Sequence, residues 1–172
     1  MRRVAIVGCP GSGKSTLARA MGESLTLPVI HMDVLYFQPG WSPSDDRAMR
    51  QATDAMALRD SWICDSTYID VSAVRFTRAD TVVWLRLPRT VCMRRAIWRA
   101  IRDRNRPRPD LPPGCREKID LRFYARIWNW NRDVRPRLTV AIQRLGNETR
   151  LVVLENGAEV GAFLATLKAR PY

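Results

Sequence analysis

Short apolar segments alternate along the chain with longer segments in which apolar residues recur at helical spacing. The apolar segments lie at 4–7, 28–31, 62–64, 81–87 and 151–154, and the helical segments at 14–25, 44–59, 90–104, 117–145 and 158–169. Short strands that are apolar throughout and separated by helices are typical of a parallel sheet covered on both faces. The pattern therefore predicts a single α/β domain of 172 residues with five strands.

Two local signals refine this pattern. A helix start is expected around Ser44, with the acids Asp45 and Asp46 in the first turn. The segment 105–114 contains four prolines and cannot form regular structure. It separates two arginine-rich helical segments, so we expect an inserted lid over about 104–118.

A glycine-rich sequence directly follows the first apolar segment and opens the first helix. It matches the phosphate-binding P-loop (Walker A) pattern G-x-x-x-x-G-K-[ST] without a gap. Glycines let backbone N–H groups converge on phosphate oxygens at a helix N-terminus, where the helix dipole favours negative charge. We expect Lys14 to reach the β- and γ-phosphates of ATP and the Ser15 hydroxyl to bind Mg²⁺. The predicted nucleotide-binding residues here are Gly8, Cys9, Pro10, Gly11, Ser12, Gly13, Lys14, Ser15 and Thr16.

The net charge of +12 is concentrated in one part of the chain. Between residues 86 and 137 there are 15 Arg and one Lys against five acids, and the remainder is almost neutral. Such a basic block can bind nucleic-acid backbone, or it can close over the phosphates of a bound nucleotide. With a P-loop present, arginines near the phosphates are the more economical interpretation.

Composition narrows the class of protein. Hydrophobic residues make up 46% and charged residues 27%, as in ordinary globular domains, and no apolar run approaches the length of a membrane span. Residues 1–3 lead straight into the first strand, so no signal peptide is expected. Four cysteines without C-x-x-C spacing or histidine partners favour reduced thiols, and we expect a cytoplasmic protein with no membrane partner.

Several later segments resemble a known family. They are His31 to Phe37, Trp62 to Asp65, Ala79 to Leu85, Gly114 to Glu117, Trp128 to Trp130 and Arg135 to Arg137. Together with the P-loop, these segments resemble the FlaR-type "DNA topology modulation" proteins, which are related to adenylate kinase. The resemblance implies an adenylate-kinase-like fold with strand order 2-3-1-4-5, helices on both faces and an arginine-rich lid. It leaves the substrate open.

Two aspartates come directly after or at the end of predicted strands. Asp33 follows the second strand, where ligands bind in open α/β sheets, and could orient a phosphoryl acceptor or take its proton. The alternative is a capping residue for a turn at 34–36. Asp65 ends the third strand, and resemblance to adenylate-kinase relatives implies that it holds Mg²⁺ through water. The alternative is a turn-forming aspartate.

Arg95 and Arg99 lie four residues apart on the third helical segment and so share one face. By resemblance, Arg95 could stack on adenine and Arg99 could approach the phosphates as a catalytic residue. The alternative for each is a solvated surface position. His31 is the only histidine, and a structural hydrogen bond is favoured for it over a role as base.

These observations predict a kinase that moves the γ-phosphoryl group of ATP to a nucleotide or other small-molecule acceptor. Lys14, Asp33 and Arg99 are the predicted catalytic residues, and ATP and Mg²⁺ the predicted cofactors. The alternative is an NTP-binding regulator or slow ATPase whose basic region contacts nucleic acid. The oligomeric state is left open.

Overall fold

Five parallel strands form the central sheet of the computed structural model, which describes residues 1–66, 73–103, 111–112, 114–115 and 119–169. The strands are β1 (Arg3–Gly8), β2 (Val29–His31), β3 (Trp62–Asp65), β4 (Thr81–Leu85) and β5 (Arg150–Leu154). Their order across the sheet is β2-β3-β1-β4-β5, and every neighbouring pair is parallel. This confirms the predicted fold class and strand order.

Burial explains why the apolar segments became strands. Every residue of β3 and β4 is buried, as are the last five residues of β1, because helices cover both faces of the sheet centre. The edge strands are less enclosed: β2 is half-buried throughout, and β5 begins with two exposed residues. The residues that follow β1 and β3 therefore extend from strands that lie in the hydrophobic core.

The described residues form eight α-helices. These are α1 (Lys14–Leu25), α2 (Met32–Tyr36), α3 (Asp46–Ala57), α4 (Ala73–Arg78), α5 (Arg89–Arg102), α6 (Leu121–Asp133), α7 (Arg135–Gln143) and α8 (Gly157–Lys168). The helix predicted over 14–25 has the predicted bounds. The short helices α2 and α4 were not predicted, because five or six residues are too few for a periodic signal.

The single helix predicted over 117–145 is wrong. The chain forms α6 and α7 there, separated by Val134, whose φ of −113° departs from helical geometry. Pro136 lies in the first turn of α7. In a continuous helix its ring would clash with the carbonyl of Arg132 and remove a hydrogen bond, so a new helix begins before it.

The helix start expected around Ser44 lies one residue further on. Asp45 is the N-cap of α3, and its carboxylate accepts a hydrogen bond from the Ala48 N–H at 3.3 Å. An aspartate is at least as good an N-cap as serine. Ser44 instead donates its backbone N–H to the Tyr36 carbonyl and its hydroxyl to the Leu35 carbonyl. Through these two hydrogen bonds, Ser44 connects the residues before α3 to the last turn of α2.

A small antiparallel hairpin joins α2 to α3. Its strands Phe37–Gln38 and Ser42–Pro43 are connected by a turn of 3-10 helix at Pro39–Trp41. The Cys115 thiol donates to the Gln38 carbonyl at 3.3 Å. The predicted lid at 104–118 otherwise lies mostly outside the described residues. Cys115, one of the described residues of that segment, therefore lies beside the hairpin.

Asp80 attaches the start of β1 to the start of β4. Its carboxylate accepts hydrogen bonds from the backbone N–H groups of Arg2 and Arg3 at 2.7 and 2.8 Å, and from the Thr81 hydroxyl at 2.8 Å. Burial alone would raise the pKa of Asp80, but the backbone bonds from Arg3 and Arg2 hold that pKa below 3.8. Its ionised form therefore stabilises the folded state.

Helix lengths and hydropathy bear on membrane association. Within the parts of the chain that the structure describes, we find no helix with both the length and the apolar character needed to span a bilayer.

Candidate active site

The glycine-rich loop connects the end of β1 to the start of α1, at the carboxyl edge of the sheet. A Cβ atom on Gly8 would lie 2.6 Å from the Leu85 carbonyl oxygen, so only glycine fits beside β4. Gly11 has φ of +82°, and a Cβ there would meet the backbone carbonyl of Cys92 on α5 closer than real Cβ atoms approach. The loop therefore packs between the end of β4 and α5.

Hydrogen bonds within the loop shape it around Lys14. The Ser12 N–H and the Lys14 ammonium both donate to the Cys9 carbonyl at 3.0 Å, and Gly13 is the N-cap of α1. Lys14 is 9% exposed. Burial lowers the pKa of Lys14, although the carboxylates of Asp65 and Asp33 oppose that shift. A buried cation at a helix N-terminus is suited to an anionic ligand such as a phosphate chain.

Cys9 and Cys92 meet behind the loop. Their side chains share a hydrogen bond, which together with burial raises the pKa of the Cys9 thiol far above its usual range. The loop cysteine is therefore a protonated, apolar filler between the loop and α5. The side chain of Cys9 is directed towards Cys92 on α5, so the nucleotide contact predicted for Cys9 would have to come from its backbone.

Asp65 connects the loop to the neighbouring strand β2. Its Oδ2 accepts the Ser15 hydroxyl at 2.6 Å, and its Oδ1 lies 2.6 Å from His31 Nδ1. The strand register explains both contacts, because Asp65 is paired with Ile6 on β1 and with His31 on β2. The hydrogen bond expected for His31 is present, and its partner is the predicted metal-site aspartate.

The Ser15–Asp65 pair fits a magnesium ion that is bound together with a nucleotide. Among the described residues, we find no group of three or more His, Cys, Asp or Glu side chains that could hold a metal by themselves. Mg²⁺ does not require such a group, because it commonly uses one or two protein oxygens plus phosphates and water. Ser15 would be the direct ligand, with Asp65 next to it.

Asp33 is the second residue of α2 and lies on the same edge of the sheet. Its carboxylate is close enough to Lys14 to raise the pKa of that ammonium. The structure therefore brings Asp33, Asp65 and Lys14 together around the loop. Residues 34–36 lie in the short helix α2, whose N-cap is His31. The choice between an acceptor role and a capping role for Asp33 stays a prediction.

Arg95 contacts the loop directly. It lies on α5, and its Nη1 donates to the Ser12 carbonyl at 3.1 Å. Arg99 lies one turn further along α5, with its guanidinium 6.0 Å from the centre of the Phe123 ring. The contacts predicted for Arg95 with adenine and for Arg99 with phosphates stay predictions.

Arg75 is a buried cation close to Asp65 that the sequence pattern missed. It is fully buried on α4, hydrogen-bonded to the Cys64 thiol and 4.7 Å from the centre of the Phe76 ring. Burial lowers the pKa of Arg75, and the nearby Cys64 and Asp65 oppose that shift. No periodicity marked this short helix, so nothing in the sequence indicated a buried cation behind Asp65.

Comparison with known proteins identifies the fold. No family model and no curated protein sequence matches the chain. Solved structures do match along nearly its whole length. A shikimate kinase from Acinetobacter baumannii in complex with shikimate is 14% identical with a TM-score of 0.57, and the match covers 97% of this chain and 90% of that one.

Two further solved structures match over similar lengths. A gluconokinase from Sinorhizobium meliloti 1021 is 18% identical with a TM-score of 0.51, covering 97% of this chain and 93% of that one. A deoxyadenosine kinase from M. mycoides with bound dATP is 12% identical with a TM-score of 0.51, covering 96% and 99%. At these identities the likeness concerns the fold, which is that of P-loop kinases.

Proposed function

We propose that this chain is an ATP- and Mg²⁺-dependent phosphotransferase whose acceptor is a hydroxyl-bearing small molecule, either a nucleotide or another metabolite. The observation that carries the proposal is the buried Lys14 ammonium inside a glycine-rich loop, adjacent to the Ser15–Asp65 pair. The kinases of similar fold add support, since their names span a hydroxy acid, a sugar acid and a deoxynucleoside as acceptors.

ATP would be bound by the loop at residues 8–16. Backbone N–H groups and Lys14 would bind the β- and γ-phosphates, and Arg95 would hold the loop in shape through Ser12. Mg²⁺ would neutralise phosphate charge beside Ser15. The positive groups would thereby stabilise the charge that develops on the transferred group.

Asp33 would act on the acceptor. Its carboxylate lies near Lys14 and so near the expected position of the γ-phosphate. In transfer, the acceptor oxygen forms a bond to phosphorus, the bond from phosphorus to the ADP oxygen breaks, and the acceptor proton passes to Asp33. Most of the rate acceleration would come from positioning and charge neutralisation, as phosphoryl transfer requires.

The hairpin that follows α2 would form one side of the acceptor site. It begins directly after the helix that carries Asp33, and Cys115 at the far end of the proposed 104–118 lid contacts its Gln38 carbonyl. Nucleotide and acceptor would then lie next to the hairpin. The phosphate contacts proposed for the lid arginines fall outside the described residues. No family model matches this chain. Its similarity to the FlaR-type proteins therefore remains part of this proposal.

An acceptor screen coupled to ADP release tests the function. The purified protein is assayed with ATP and Mg²⁺ against sugar acids, hydroxy acids, nucleosides and nucleoside monophosphates. We expect slow ADP release alone and at least about tenfold faster release with one acceptor class, equivalent to ~1.4 kcal/mol of transition-state stabilisation. Lys14→Met, which keeps the apolar stem and removes the charge, is the matched control.

DNA and RNA form a separate arm of that screen. If only nucleic acid stimulates ATP hydrolysis, and the stimulation falls steeply with salt, the protein is an NTP-dependent regulator and the kinase proposal fails. The basic block at 86–137 motivates this arm.

A further inference from the structure

His31 lies at the edge of the candidate metal site, next to Asp65. It is the last residue of β2, and its Nδ1 lies 2.6 Å from Asp65 Oδ1. The side chains of His31 and Asp65 are 12% and 6% exposed. Because water has little access to this pair, the hydrogen bond is not readily replaced by solvent.

The two oxygens of Asp65 have different partners. Oδ2 accepts the hydroxyl proton of Ser15, and Oδ1 lies 2.6 Å from His31 Nδ1. Because a carboxylate oxygen can only accept, we assign the proton of the second bond to Nδ1. A carboxylate held at both oxygens has a fixed rotation about its Cβ–Cγ bond. The Ser15 proton then points towards Asp65, which leaves the lone pairs of Ser15 Oγ directed away from Asp65 and available to a cation.

We propose that His31 is a positioning residue that orients Asp65, and through Asp65 the Ser15 hydroxyl, for binding the Mg²⁺–nucleotide complex. The inference rests on the proposed function, since it concerns the same metal site. The hydrogen bonds run from His31 to Asp65 and from Asp65 to Ser15, and they link β2, β3 and the start of α1. Partners of this kind typically contribute 10- to 100-fold to metal affinity.

Two substitutions separate positioning from a purely structural contact between β2 and β3. His31→Asn keeps a side-chain N–H close to the place of Nδ1, whereas His31→Leu has similar bulk and no donor. If His31 acts by donating to Asp65, the Asn variant retains metal affinity and the Leu variant loses it. If His31 acts only through packing, the two variants are affected in the opposite order or equally.

Metal affinity is measured directly, with Mn²⁺ as the probe for Mg²⁺. Electron paramagnetic resonance follows free Mn²⁺ during titration of the ADP complex, and calorimetry gives ADP affinity in EDTA. We expect His31→Leu to weaken Mn²⁺ binding about 10- to 100-fold. His31→Asn should stay within about threefold of the wild type, and both variants should bind ADP in EDTA within about twofold.

Three results would overturn the inference. The first is equal Mn²⁺ affinity in all three proteins. The second is a loss in the Asn variant that equals or exceeds the loss in the Leu variant, and the third is a loss of ADP binding in EDTA as large as the loss of Mn²⁺ binding. If His31→Leu does not fold, His31→Gln takes its place, because its amide reaches past the Nδ1 position; the Asn variant must then bind Mn²⁺ more tightly than the Gln variant. Failure of the proposed function is distinct: an acceptor screen without any stimulated ADP release would refute the kinase, while the ADP-dependent Mn²⁺ affinities of the wild type and the His31 variants would still test the inference.

Discussion

Substituting Gly11 with alanine should displace the phosphate loop, and Gly40 provides a matched control. Both glycines have nearly the same φ, +82° and +81°. An added Cβ on Gly40 meets nothing within 4 Å, whereas a Cβ on Gly11 meets the Cys92 carbonyl. Comparing the two variants therefore separates the cost of a left-handed backbone from the cost of the clash.

The magnitudes follow from this geometry. Placing alanine at positive φ costs about 1–2 kcal/mol of folding free energy, which both variants share. At Gly11 the loop or α5 must also move by about 0.7 Å to bring the new Cβ to the closest distance that real Cβ atoms keep. Because the obstacle is backbone, this overpacking should cost about 1–3 kcal/mol more.

Denaturant unfolding and nucleotide binding measure the outcome. We expect Gly40→Ala to bind ATP and Mg²⁺ as the wild type does, with only the shared loss of stability. Gly11→Ala should be less stable than Gly40→Ala and lose transfer activity by about 10²-fold, the typical effect of a 1 Å displacement at a reacting centre. Equal stability of the two variants, or normal activity of Gly11→Ala, would refute the description of the loop as pressed against α5.

Three further predictions concern single charged groups. Lys14→Met should lower ATP affinity or turnover at least about tenfold without destabilising the ligand-free protein, because a buried ammonium is removed; isothermal titration and thermal unfolding check both parts. Asp33→Asn should leave ATP affinity within a few-fold and reduce phosphoryl transfer by roughly 10²-fold, and an unchanged rate would make Asp33 a turn residue. Asp80→Asn should cost about 1–3 kcal/mol of unfolding free energy at pH 7. Because the folded-state pKa of Asp80 lies below 3.8, this difference should shrink as pH falls below 3.8 and vanish below the folded-state pKa, as urea titrations at several pH values can show.

Local sequence was enough to predict the nucleotide loop and most of the elements. The first apolar strand, the glycine-rich turn and α1 follow one another without interruption, so the pattern of burial and the loop chemistry are both encoded within 25 residues. The break between α6 and α7 was also encoded locally, in Pro136, but the strong periodicity around it favoured one long helix. That error came from weighing periodicity above a helix breaker.

The strand order came from resemblance to a family, since the apolar segments alone do not say which strands pair. The order decides the site, because it places β3 between β1 and β2. Asp65 thereby reaches Ser15 on one side and His31 on the other, across 50 and 34 residues of sequence. A sequence pattern places each residue on its own strand but gives no register between strands.

The sequence by itself determined that a P-loop would join the first strand of a parallel sheet to α1. Backbone conformation and burial in this segment depend on neighbours within a few residues. Only the tertiary structure decided what surrounds that loop. Cys92 and Arg95 lie against Gly11 and Ser12 because α5 packs there, and Ser12 and Arg95 are separated by 83 residues. Such contacts depend on how whole helices and strands pack, and no local pattern specifies that packing.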